Sequence, residues 1–144
     1  MAAVSEKRMH VTVITPARKV LDEEVAAATV PAFDGEIGIL PGHAALVTLL
    51  GSGEVRVTKP DGSKHRFAVR GGFAQVKDNT VSILTPESVS PEELKVDVVR
   101  AELEKVSAAP PADEKGPARE ERKAKVAWAK ARMKLVENKT AEKH

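Results

Sequence analysis

The chain has 144 residues, 42% hydrophobic and 31% charged, with a formal net charge of +2. That length suits one domain, or a compact domain with an appendage, and excludes a large multidomain enzyme. Cysteine is absent and aromatics make up only 3%, so disulfide frameworks, thiolate metal sites and thiol catalysis are excluded and the core must be aliphatic.

Residues 8–85 read as short β-branched runs separated by turn signals. Met9 to Ile14 (MHVTVI) alternates and stops at Thr15-Pro16. Val25 to Val30 leads into Pro31 and the loop Phe33-Asp34-Gly35-Glu36. Ala45 to Leu50 is closed by Gly51-Ser52-Gly53, and Gly71-Gly72 separates His65–Arg70 from Phe73–Val76. Pro60-Asp61-Gly62-Ser63 joins Glu54–Thr58 to His65–Arg70 as a hairpin, because Asp-Gly supplies positive φ cheaply. Val81 to Leu84 follows the turn Lys77-Asp78-Asn79. This spacing predicts an antiparallel β-sandwich over residues 1–88.

A different pattern follows. Pro86 to Glu114 holds three basic and eight acidic residues, and Lys115 to His144 holds ten basic and four acidic. Ser90-Pro91-Glu92-Glu93 is a helix start with a capping box. Val96, Val99, Leu103 and Val106 then form one helical stripe. Ala108 to Pro117 is a proline-rich break, and a second helix is expected from about Ala118 to Glu137. Its inner face would be Ala124, Ala127/Trp128, Ala131 and Leu135. The expectation for residues 89–144 is therefore a two-helix hairpin. Such short helices need a packing surface.

Catalytic motifs are scarce. No phosphate-binding glycine loop, His-Glu-x-x-His or nucleophile elbow occurs, and His10, His43, His65 and His144 share no metal-ligand spacing. Asp34 and Glu36 form a candidate carboxylate pair for a small hydrolase, against the plainer reading of two solvated acids on a turn. The basic tail admits a β-sandwich module that contacts nucleic acid, although only Trp128 there could stack on a base. Two further readings stay open: the acidic and basic helices neutralise each other, or the basic helix meets an acidic protein partner. Met1 to Met9 has no apolar run of signal-peptide type, and no run approaches bilayer length, so the expectation is a soluble intracellular protein.

Four ordered motifs then carry a resemblance. Phe33-Asp34-Gly35-Glu36-Ile37-Gly38-Ile39-Leu40-Pro41-Gly42-His43-Ala44 closely resembles the signature of the ε-subunit family of bacterial rotary ATP synthases. The agreement extends through Thr12–Pro16 and Val69–Val76, and Val96-Asp97-Val98-Val99-Arg100-Ala101 matches the family's (Ile/Leu)-Asp-x-x-Arg-Ala motif. The resemblance implies a non-catalytic rotor subunit in the central stalk. It would bind γ and present Glu36, Gly38, Pro41, Gly42 and His43 to the c-ring.

The same resemblance implies that the hairpin is an inhibitory switch. Folded down, it permits hydrolysis. Extended along γ, within an assembly that also holds the α subunits, it would set Arg119, Arg122, Lys123, Lys125, Lys130, Arg132 and Lys134 against acidic segments of the catalytic β subunits, with the proline-rich break as hinge. In some family members ATP holds the hairpin down, and Asp97, Arg100 and Ala101 match that motif. The alternative is that Asp97 and Arg100 pin the first helix to the sandwich. No cofactor is required and no nucleic-acid partner is expected. The implied location is peripheral, on the cytoplasmic face of the bacterial inner membrane.

Overall fold

The computed structural model describes residues 8–108 and 114–142, the last five of them by backbone alone. Strand β1 (Met9–Ile14) follows its alternating sequence, with Met9, Val11 and Val13 buried. It turns through Thr15–Arg18 into β2 (Lys19–Val25), which the sequence reading did not anticipate. Only Leu21 and Val25 of β2 are buried, so acidic Asp22, Glu23 and Glu24 hide its pattern. Ala26 separates β2 from β3 (Ala27–Ala32), dividing the single strand expected over Val25–Val30. Pro31 lies inside β3, where the ladder to the strand over Leu46–Thr58 is irregular between Thr29 and Ala32. A proline has no N–H to donate there.

The supposed loop after Phe33 is instead a turn followed by an edge strand, β4 (Gly35–Ile39), paired with β3. The remaining strands are β5 (Leu46–Thr58), β6 (Lys64–Lys77), β7 (Thr80–Leu84) and the short β8 (Ser88–Val89). Their order is β2-β1-β7-β6-β5-β3-β4, with β8 also paired to β6. The expected sandwich is therefore present. One pairing departs from antiparallel: β1 and β7 run parallel. That is affordable because the whole of β2 to β6 lies between them in sequence, giving the long connection a parallel neighbour needs.

Glycine pairs that read as strand breaks are bends within continuous strands. β5 and β6 remain paired from Leu46↔Val76 to Thr58↔Lys64, and Leu50 lies opposite Gly72. Buried positions on β5 change from Leu50 to Val55 and Val57, and on β6 from Phe67 and Val69 to Ala74 and Val76. The inward alternation thus shifts by one residue in both strands at the same level. The pair leaves one layer there and enters the other. One layer contains β2, β1, β7 and the adjoining halves of β6 and β5; the other contains β4, β3, β8 and the opposite halves. Between them lies an aliphatic core with Phe67 as its one aromatic among the described residues.

Ser90 begins a 3-10 turn (Pro91–Glu93), not the long helix. The Glu93 carboxylate accepts the Ser90 backbone N–H at 2.7 Å and its hydroxyl at 3.0 Å. Leu94 and Lys95 are then extended, and helix α1 (Val96–Val106) starts afresh. Leu94 packs beside Ala68, Trp128, Ala131 and Leu135, so burial of its side chain overrides a continuous helix. Helix α2 runs from Pro117 to Glu142, with proline in its first position and Gly116 before it. Of the expected break at Ala108 to Pro117, residues 109–113 lie outside the described residues. Trp128, Ala131 and Leu135 seat α2 on the outer face of the second layer, over Ala68 of β6. Ala124 and Ala127, expected on that face, are exposed. No described helix is long and apolar enough to cross a membrane.

Candidate functional site

The glycine-rich sequence from Glu36 to His43 folds into a rim at one edge of the sandwich. Glu36 and Gly38 are exposed on edge strand β4, and Pro41, Gly42 and His43 form the turn into β5. Glu36 is not a free acid: Arg56 Nη2 lies 3.0 Å from its carboxylate, and Arg56 Nη1 lies 3.3 Å from the buried Glu54. Asp34 stays exposed on the preceding turn. Glu36 thus faces a cation where a hydrolase would need a second carboxylate. Among the described residues no group of His, Asp and Glu could hold a metal. His43 closes its own turn. Its N–H donates to Leu40 O at 3.0 Å, and its Nδ1 donates to Ala44 O at 2.8 Å.

The hairpin brings together some of the expected cations and leaves others outside. Arg122 Nε donates to the Glu114 carboxylate at 3.0 Å, while its Nη1 donates to Val106 O and Ala108 O, each at 3.2 Å. It therefore satisfies carbonyls left open at the C-terminus of α1. Arg132 sits 5.2 Å from the Trp128 ring centroid and pairs with Glu102 of α1. These contacts realise the expected neutralisation of acidic by basic segments. Lys123 reaches Glu120 at 3.9 Å, whereas Arg119, Lys125, Lys130 and Lys134 are exposed. Asp97, Arg100 and Ala101 are also exposed on α1. Among the described residues the side chains of Asp97 and Arg100 make no hydrogen bond or ion pair, and Val99 is the buried residue of α1.

The sequence reading missed an exposed apolar surface. On the first layer, Leu49, Phe73, Leu84 and Ile14 are direct cross-strand neighbours in one row over β5, β6, β7 and β1. All four are exposed, and Phe33, bonded through its N–H to Leu49 O, extends the row at 80% exposure. Val47 lies beside it, 68% exposed. A groove lined by Ile14, Pro16, Phe73, Leu84 and Pro86 opens at one end. Apolar residues were visible in these runs, but inward and outward alternation cannot be assigned until the register is known. Contiguous exposed apolar surface of this kind is characteristic of interaction sites.

A sandwich with an apolar strip on one outer face and a docked hairpin on the other is an interaction subunit. The family model for the ATP synthase delta/epsilon chain β-sandwich domain matches residues 8–91. The ATP synthase epsilon chain of Pelotomaculum thermopropionicum is 39% identical over 99 residues, covering 69% of this chain and 72% of that one. The epsilon chain of Leptospira borgpetersenii is 39% identical over 108 residues, covering 75% and 84%. A chain in the Euglena gracilis mitochondrial ATP synthase structure, an OSCP/F1/c-ring assembly, matches with TM-score 0.77 and 28% identity over 96% of this chain and 82% of that one. A chain of the Tetrahymena thermophila mitochondrial ATP synthase central stalk and c-ring shares the fold, with TM-score 0.65 and 18% identity over 89% and 96%. The chain belongs to the ATP synthase delta/epsilon chain family, and its resemblance to the epsilon chains extends beyond the sandwich into the helical region.

Proposed function

We propose that this chain is the epsilon-type rotor subunit of a proton-translocating rotary ATP synthase, peripheral to the cytoplasmic face of the bacterial inner membrane. The observation that carries the reading is the Phe33–Leu49–Phe73–Leu84–Ile14 strip, whose exposure a partner would relieve. We assign that strip to the γ subunit and the rim from Glu36 to His43 to the c-ring. The chain supplies no chemistry; it holds rotor parts together while rotation drives ATP synthesis elsewhere.

The hairpin is assigned as a brake on hydrolysis through contacts to the β subunits. Exposed Arg119, Lys125, Lys130 and Lys134 are available in the folded state, whereas Arg122 and Arg132 must first give up internal partners. Regulatory ATP is assigned to Asp97, Arg100 and Ala101 on α1. Chemical-shift changes at Arg100 on adding ATP support this assignment; none at millimolar ATP rejects it.

The test of the main reading assembles α, β and γ with the full chain or a version ending at Ser90, which retains β8. Faster ATP hydrolysis with the shorter chain supports the brake. Equal rates, with both forms bound, leave a coupling subunit without one. Failure of both to bind γ rejects the reading.

A further inference from the structure

The Pro41–His43 turn is tied to a distant part of the chain by one side chain. Gly42 N–H donates to Asn79 Oδ1 at 2.7 Å, across 37 residues of sequence. Asn79 sits in the two-residue turn between β6 and β7, where Asp78 and Asn79 have φ of 51° and 59°. Its backbone carbonyl accepts His10 N–H at 2.9 Å. One residue therefore joins the start of β1, the β6–β7 turn and the β4–β5 turn. The other hydrogen bonds of the rim turn are local, His43 N–H to Leu40 O and His43 Nδ1 to Ala44 O. Gly42, at φ +89°, directs its N–H out of the turn, and Asn79 is what receives it.

We propose that Asn79 is a positioning residue for the Glu36–His43 rim, fixing the presentation of Pro41 and His43 to the membrane ring. This rests on the assignment of that rim to the c-ring. Asparagine meets two requirements at once. It tolerates left-handed backbone, and it carries a neutral acceptor long enough to reach the neighbouring turn. Glycine would satisfy only the first. A rim bearing load during rotation needs its contact residues held by the scaffold and not by their own loop. Asn79 links the turn to β1, β6 and β7, which are interior strands of the sheet.

The test compares full-length wild type, Asn79→Gly and Asn79→Asp. Amide exchange at Gly42 is measured by NMR, alongside affinity for purified γ alone and for a γ–c-ring assembly. Asn79→Gly keeps the turn and deletes the acceptor. The expected result is about tenfold faster exchange at Gly42, the scale of one hydrogen bond, with weaker binding to γ–c-ring and unchanged binding to γ. Asn79→Asp restores an acceptor and should recover both properties. Unchanged Gly42 exchange in Asn79→Gly, or faster exchange with undiminished ring affinity, overturns the proposal. If wild type itself gains nothing from the ring, the rim assignment fails and the proposal falls with it. That outcome is recognisable because all three chains then behave alike toward both assemblies.

Discussion

Gly72 has φ of +106°, and a β-carbon there would lie 2.0 Å from Leu84 O and 2.8 Å from Thr85 Cα. Both obstacles are backbone, so neither can rotate away. Gly72→Ala should therefore cost more than about 2 kcal/mol in urea denaturation, combining left-handed strain with displacement of β7. His10 makes a different residue-scale prediction. Glu24 and then Asp22 bond its ring and raise its pKa above the usual imidazole value; Lys19 also lies against Asp22. The protonated imidazole is thus favoured by folding. Its stabilisation is complete below about pH 6.5 and is lost as pH rises through the raised folded-state value. Asp22 is held below the usual carboxylate range by Lys19 and then His10, so its contribution is lost only as pH falls through that lowered value. The melting temperature of wild type should decline slightly from pH 6 to 8, and His10→Gln should flatten that decline. These groups are solvent-facing, which keeps the effect small.

At the scale of elements, α2 divides into three faces. Trp128, Ala131 and Leu135 meet the sandwich; Arg122 and Arg132 meet α1 or its end; Arg119, Lys123, Lys130 and Lys134 remain outward. Arg122 acts as a clasp because one guanidinium serves Glu114 and two carbonyls at the end of α1. Its side chain is about one-third exposed, so screening reduces its worth. Arg122→Ala should weaken hairpin docking by about 1 kcal/mol, roughly fivefold in opening. Hydrogen exchange should accelerate across Pro117–Glu137 and stay unchanged in β1, β6 and β7. Equal acceleration in the sandwich would show that Arg122 supports the whole fold. The 3-10 turn before α1 belongs to the same scale. Its capping box forms as the sequence predicts, yet it starts only one turn because Leu94 is drawn toward Trp128 and Leu135.

The described residues form two unequal apolar assemblies and leave an apolar strip exposed. The core between the layers is continuous from Met9 to Ile83, whereas the hairpin is seated through Ala68, Trp128, Ala131 and Leu135. Buried Glu54, directly opposite Ala68 in the ladder, makes the second layer's outer face partly polar. A helix docked on so mixed a face separates more easily than a core layer would. Trp128→Ala should therefore undock α2 while the sandwich keeps its melting transition, read by circular dichroism and hydrogen exchange. The open strip predicts the opposite pattern. Leu49→Asp with Phe73→Ser should reduce γ binding more than tenfold without lowering stability, because neither side chain belongs to the core.

Strands β1 and β7, the two halves of β6 and the helical stripe of α1 were legible because each carries its own periodicity. So was the rim, whose residues stand consecutively and resemble a known signature. β2 was not, since three consecutive acids mask its two buried residues; nor was β4, whose glycines and Glu36 look like a loop until β3 supplies its partner. Sequence determined that this chain would be an aliphatic sandwich followed by charged helices, because local pattern and composition suffice for that. Only tertiary structure decided that Gly71-Gly72 bends a strand it could have ended, that Asn79 reaches Gly42, and that Leu49, Phe73, Leu84 and Ile14 align outward. The physical reason is common to all three: each is a relation between distant segments, and for the strip a register shift of one residue would turn its side chains to the other face.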